Sequence, residues 1–203
     1  MRKIFITGIG TDVGKTVVSA IVTEALQADY WKPVQTGSYL SCDSDTVRNL
    51  ISNDKTQIHP EIYKLEQPLS PHAAAELENV KISLSEINLP ETNNTLVIEG
   101  AGGIMVPLND NEFILDIIKK FDAETILVIQ NYLGSINHSL LSIDCLKNHN
   151  INILGIVFNG PPNKLSEDII INYSKLPVLL HVGKEPKINH AVVSKYAAQL
   201  KTI

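Results

Sequence analysis

Residues 3–27 read KIFITGIGTDVGKTVVSAIVTEALQ. A short apolar run, Ile4-Phe5-Ile6, is followed by glycines at 8, 10 and 14, and Gly14-Lys15-Thr16 opens a stretch of helix-compatible spacing. Strand, glycine loop, helix is the context in which Gly-Lys-Thr grips phosphate. Glycines let several backbone N–H groups converge on the anion, and a helix N-terminus adds roughly half a positive charge. Lys15 then reaches the outer phosphates, and the Thr16 hydroxyl suits Mg²⁺. The spacing is odd. Five residues, Ile9 to Val13, separate Gly8 from Gly14, where the common form has four.

The rest of the chain repeats the alternation with which it starts. Strand-like runs stand at 3–7, 30–34, 95–100, 125–130, 152–159 and 177–182, with helix-compatible segments at 14–27, 112–121, 134–149, 164–174 and 189–201. Most of the runs are continuously apolar, which suits strands covered on both faces. The pattern predicts an α/β fold of the P-loop NTPase kind: a doubly wound, mostly parallel sheet with helices on both faces, in a single domain over 1–203. Ligands of such sheets gather beyond the carboxyl ends of the strands. The chemically distinctive stretches do follow the runs, at 8–16, 32–37, 99–103, 131–137 and 159–162. The segment 35–94 differs. It is polar, broken by prolines at 60, 68, 71 and 90, and shows no clear strand. It reads as an ordered excursion over the site edge, anchored by Leu50, Ile51, Ile58, Ile62, Tyr63 and Leu65.

Bulk composition removes several function classes. With 44% apolar and 19% charged residues the chain is an ordinary globular sequence. A net charge of −5 without a Lys or Arg block argues against nucleic-acid or anionic-membrane partners. Cys42 and Cys145 have no metal-ligand spacing and no CxxC pattern and read as small buried or half-buried side chains. The glycine loop arrives too early for a signal peptide, and no apolar run is long enough to span a bilayer. The expected location is the cytoplasm.

Four further side chains stand out. Glu99 stands at the end of the run TLVIEG and opens Gly100-Ala101-Gly102-Gly103, which places it as a Walker-B-like acid beside the phosphate loop. Read alone it is also a solvated acid at a strand end. Asp45, in SCDSDTVRNL, is a second candidate Mg²⁺ ligand, although Asp43 and Asp45 read equally as helix-capping acids. Lys32 lies inside YWKPV, where it is as compatible with a snorkelling surface lysine as with a group that stabilises a transferring phosphoryl. Ser135 is placed to cap a helix whose free N–H groups would take a carboxylate.

Taken together, GIGTDVGKT (8–16), YWKPVQTG (30–37), the Ser44-Asp45 pair, PLSPHAA (68–74), VIEGAGG (97–103), NYLGSINH (131–138) and VFNGP (157–161) resemble the dethiobiotin synthetases, in the order that family has them. EGAGG and LGSINH are the most specific pieces, because a generic P-loop ATPase needs neither. The resemblance implies a ligase of biotin synthesis that uses ATP and Mg²⁺. One amine of 7,8-diaminopelargonic acid takes up CO₂ as a carbamate, ATP phosphorylates the carbamate, and the second amine closes the cyclic urea as phosphate leaves. It implies catalytic roles for Thr11, Lys15 and Lys32. Nucleotide contacts are implied at Asp12, Val13, Gly14, Lys15, Thr16, Val17, Glu99, Asn159 and Gly183, with Asn159 reading adenine. Mg²⁺ falls to Thr16, Asp45 and Glu99. Substrate falls to Asp12, Lys32, Thr36 and Gly102, and to Leu133, Gly134, Ser135, Ile136 and Asn137 reaching across a homodimer to the distal carboxylate.

The chain departs from the family pattern at Ile9 and Gly10, at Asp12, which replaces a longer glutamate, and after Val182. His72 and His138 read as polar surface groups and Pro71 as a shaping residue. Two other functions fit the loop less well. A partition-type dimeric ATPase switch carries a lysine early in the phosphate loop, where this chain has Ile9 and Gly10. A synthetase subunit of a corrinoid amidotransferase needs a glutaminase nucleophile, for which 203 residues leave no room, so a separate subunit would have to supply it.

Overall fold

The structure is a computed structural model that describes residues 1–38 and 42–203. In chain order the first elements are β1 (Lys3–Gly8), α1 (Lys15–Leu26), β2 (Asp29–Trp31), β3 (Val34–Gln35), α2 (Asp43–Leu50), β4 (Ile58–His59), β5 (Tyr63–Lys64) and α3 (Pro71–Leu77). After a 3₁₀ turn at Leu84–Glu86 come β6 (Leu96–Gly103), α4 (Ile114–Phe121), β7 (Glu124–Gln130), α5 (Ser135–Asn148), β8 (Ile153–Asn159), α6 (Lys164–Ser174), β9 (Val178–Val182) and α7 (His190–Ala197). Seven strands form one sheet in the order β4-β2-β6-β1-β7-β8-β9, with every pairing parallel. The doubly wound parallel sheet expected from the alternation is present. Its strand order runs outward on both sides of β1, so the carboxyl edge of β1 is the switch point at which such folds bind ligands.

Alternation along β1 divides the core. Ile4 and Ile6 pack into one apolar cluster with Val18, Ile21 and Val22 of α1, Ile143 of α5 and Ile170 of α6. Phe5 points the other way, to Ile98, Ile114, Ile117 and Ile118. Helices therefore cover both faces, which is why the strands read as continuous apolar runs rather than alternating ones.

Three expectations are corrected. The run 30–34 is not one strand. Pro33 has no N–H to continue the ladder, so β2 stops at Trp31, and β3 leaves the main sheet to pair with β5. The run at 95–100 continues to Gly103, which puts Glu99 inside a strand. The segment thought to lack strands supplies β5 and also β4, the edge of the main sheet, which pairs with Tyr30 and Trp31 of β2. Of its expected anchors, Leu50, Ile51 and Leu65 are buried, Ile58 and Tyr63 half-buried, and Ile62 exposed. Both cysteines are free. Among the described residues no helix is long and apolar enough to cross a membrane.

Candidate active site

The loop between β1 and α1 is pinned at both ends. The Ile9 N–H donates to the Val128 carbonyl of β7 at 3.1 Å, and the Ile9 side chain is buried in the core. At the other end the Asn159 amide of β8 donates from Nδ2 to the Val13 carbonyl at 2.9 Å. Between these anchors Thr11 and Asp12 are exposed, and Asp12 takes a left-handed backbone, φ 58°. Gly14 caps α1 with φ 92°, so glycine is the residue the turn favours. No acidic side chain occupies the first turn of α1, which leaves its N-terminus open to an anion.

Lys15 folds back over this loop, its Nζ donating to the Gly10 carbonyl at 2.8 Å. Burial lowers its pKa to about 8, with the neighbouring Lys32 charge acting in the same direction, while Glu99, Asp43 and Asp12 oppose. A lysine held this way gains when phosphate oxygens replace a neutral carbonyl.

Behind Lys15 a polar cluster lies under the cleft. Thr16 Oγ1 is 3.0 Å from Asp43 Oδ1 and 2.9 Å from Glu99 Oε1. Lys32 Nζ is 2.8 Å from Asp43 Oδ2 and 3.1 Å from Glu99 Oε1, and reaches the Gly100 carbonyl at 3.3 Å. Lys32 and Glu99 are almost wholly buried. Burial is the largest influence on Lys32 and pulls its pKa down, but the Glu99 and Asp43 carboxylates outweigh it and hold the ammonium above the ordinary lysine range. For Asp43 burial pulls upward, and Lys32 and Thr16 outweigh it, so its carboxyl stays below the usual range. Tyr30 Oη donates to the remaining Glu99 oxygen at 2.9 Å. Burial, followed by the Glu99 charge, raises that phenol well above its usual pKa.

Two carboxylates and a hydroxyl around one point are a hard oxygen set of the kind Mg²⁺ takes, with phosphate and water completing its octahedron. Among the described residues no group of three or more His, Cys, Asp or Glu side chains converges elsewhere to compete for a metal. The acid that meets Thr16 is Asp43 rather than Asp45. Asp45 is exposed and pairs with Arg48, whereas Asp43 meets Thr16 and Lys32. Asp43 shares the inward face of α2 with Val47 and Leu50, and Asp45 is turned away by roughly 200°.

The cleft over this cluster has a volume of about 900 Å³. Thr11, Asp12, Gly14, Lys15, Thr16, Lys32, Thr36, Glu99 and Gly102 all line it, so these expected residues are brought together. The reading of the sequence missed Gln35, Leu69 and Val106, which also line it. Gln35 accepts the Asp43 N–H at 3.1 Å and so sets the start of α2. Pro68 and Pro71 add apolar lining to the cleft. Val13 is buried and Val17 half-buried behind the loop. Gly183 follows β9, and its N–H is taken by Tyr196 Oη at 2.9 Å.

Leu133 to Asn137 do not line this cleft. Leu133 and Asn137 are exposed and Ile136 half-buried. Ser135 is not the cap of α5, because Gly134 takes that place with φ 104°. The Ser135 hydroxyl instead accepts the Tyr132 N–H at 3.3 Å. His138 meets the Tyr132 hydroxyl, and His72 meets Ser70; both histidines are exposed.

A family model described as an AAA domain matches residues 2–192. The chain is 57% identical to the ATP-dependent dethiobiotin synthetase BioD of Cytophaga hutchinsonii, over 98% of this chain and 97% of that one. It is 49% identical to the enzyme of the same name from Christiangramia forsetii, over 98% and 96%. Among solved structures, the MinC:MinD cell division protein complex of Aquifex aeolicus superposes with a TM-score of 0.60 at 13% identity, over 98% of this chain and 93% of that one. That likeness speaks for the fold alone. The sequence identities, extending over nearly the whole of both chains, decide the family: the chain belongs to the ATP-dependent dethiobiotin synthetases.

Proposed function

We propose that this chain catalyses the ATP-dependent closure of 7,8-diaminopelargonic acid and CO₂ to dethiobiotin, with release of ADP and phosphate. The observation that carries this reading is the convergence of Lys15, Thr16, Lys32, Asp43 and Glu99 on one cleft that Pro68, Leu69 and Pro71 also line. A phosphate site alone would serve any ATPase. A buried, positively charged second lysine in a cleft that Pro68, Leu69, Pro71 and Val106 also line suits transfer to an acceptor with an alkyl chain.

In this reading the loop N–H groups and Lys15 hold the nucleotide phosphates. Thr16, Asp43 and Glu99 hold Mg²⁺, which when bound neutralises phosphate charge. Lys32 supplies a preorganised positive charge to the phosphoryl group in transfer and to the carbamate that receives it. Thr11, Asp12, Thr36 and Gly102 border the space left for the amines. Phosphorylation gives a resonance-stabilised carbamate a leaving group, after which the second amine displaces phosphate. A partition-type switch is disfavoured by Ile9, whose side chain packs into the core where that class presents a lysine.

The test is ADP release with Mg-ATP, bicarbonate and the diamine, each omitted in turn. Turnover should require all three, and diamine-independent turnover would sink the synthetase reading.

The substrate's distal carboxylate falls to Ser135–Asn137 of a second copy, because these residues stand outside their own cleft. Leu165, Ile169 and Tyr173 form an exposed apolar stripe along α6, and Leu133 and Leu141 are exposed on the neighbouring α5 region. Such a surface suits a self-complementary interface. Sedimentation at assay concentration should give a dimer, and a monomer there would remove the shared-site proposal.

A further inference from the structure

Glu99 divides its two carboxylate oxygens between different partners on the α1 face of β6. Oε1 faces the cleft, 2.9 Å from Thr16 Oγ1 and 3.1 Å from Lys32 Nζ. Oε2 faces the core, where it accepts the Tyr30 hydroxyl at 2.9 Å. Tyr30 lies on β2, the neighbour of β6, two register positions short of Glu99: Tyr30 is opposite Val97 and Trp31 opposite Ile98. Its side chain is wholly buried, and its ring packs in the cluster that contains Val22, Val47 and Ile51.

The ring and the hydroxyl therefore have different explanations. A phenylalanine ring would fill the same space, and the core has no use for the extra polar atom. Among the described residues the hydrogen-bond partner of that hydroxyl is Glu99. Remove it, and Glu99 Oε2 loses its hydrogen bond, leaving the carboxylate held through Oε1 alone.

We propose that Tyr30 is a positioning residue of the metal site, its hydroxyl holding Glu99 so that Oε1 alone is presented to the divalent cation. The proposal rests on the reading that Thr16, Asp43 and Glu99 hold Mg²⁺. Groups that orient metal ligands from behind contribute about 10–100-fold in metal affinity. Tyr30 does so without touching nucleotide or substrate, so its effect is confined to the cation. It also makes Glu99 a one-oxygen ligand, which leaves room for the waters and phosphate oxygens that Mg²⁺ keeps.

The test is Tyr30→Phe in the full chain, with Mn²⁺ as the probe, titrated by electron paramagnetic resonance in saturating ADP. Mn²⁺ should bind about tenfold more weakly than in the wild type. ADP affinity in EDTA should stay within about twofold, since an orienting hydroxyl touches no nucleotide. Wild-type Mn²⁺ affinity would overturn the proposal, and so would an equal loss of metal-free ADP binding, which would mark a packing role. Glu99→Gln, measured in parallel, separates the two readings. If it keeps wild-type Mn²⁺ affinity, the metal assignment itself fails and takes the proposal with it. If it loses Mn²⁺ while Tyr30→Phe does not, only the role of the tyrosine fails.

Discussion

Lys32→Ala should lower kcat by at least about a hundredfold while nucleotide binding is largely kept. The ammonium lies 2.8 Å from Asp43 and 3.1 Å from Glu99, so it does two things at once. Without a cation in the site it is the counter-charge for two carboxylates that would otherwise face each other across Thr16. In the proposed transfer it supplies positive charge to the phosphoryl group and its acceptor. Removing one partner of a buried ion pair costs about 3–5 kcal/mol, so the variant should melt well below the wild type in EDTA. Mg²⁺ should restore more stability to the variant than it adds to the wild type, because only the variant leaves both carboxylates uncompensated. Scanning calorimetry with and without Mg²⁺ reads this directly. Turnover near the wild-type rate, with the calorimetric difference intact, would reduce Lys32 to a structural counter-ion.

The same cluster shows why part of the site was legible in the sequence and part was not. Lys15 and Thr16 were legible because strand, loop and helix are contiguous, and local spacing fixes where each side chain goes. Glu99 was legible as an acid next to glycines, but not as a buried one, because strand length depends on the pairing partner. β6 continues to Gly103 as it pairs with β1, and the apolar run Leu96-Val97-Ile98 stops five positions earlier. Asp43 and Asp45 illustrate a question of helical phase. Both fall in the first turn of α2, and proximity in sequence cannot separate them. The 43, 47, 50 spacing of Asp43 with Val47 and Leu50 was the available signal, since it puts Asp43 on the face that packs inward. β4 gave no signal. Two residues, Ile58 and His59, make no periodic run, and they become a strand only because Tyr30 and Trp31 offer an open edge. Tyr30 itself reads as an ordinary core aromatic, and its hydroxyl acquires meaning only when β2 is known to lie beside β6.

Gly14→Ala should weaken ADP binding by at least about tenfold and destabilise the protein by roughly 2–3 kcal/mol, the sum of a left-handed alanine, about 1–2 kcal/mol, and a lost hydrogen bond, about 1 kcal/mol. Gly14 sits at φ 92°, and a Cβ there would fall 2.1 Å from Asn159 Nδ2 and 2.9 Å from its Cγ. The amide must swing away, and in doing so it gives up its bond to the Val13 carbonyl, which shapes the second half of the phosphate loop. One small substitution thus reaches the N-terminus of α1 and the proposed base-reading side chain together. The double variant Gly14→Ala, Asn159→Ala separates the causes. Deleting the amide removes the clash but leaves the backbone strain, so the double should be more stable than the sum of the two single losses, by about 1 kcal/mol. Urea unfolding of the four proteins measures that coupling. Strict additivity would mean that Asn159 does not press on Gly14, and the loop would then owe its shape to the backbone conformation of the glycine alone.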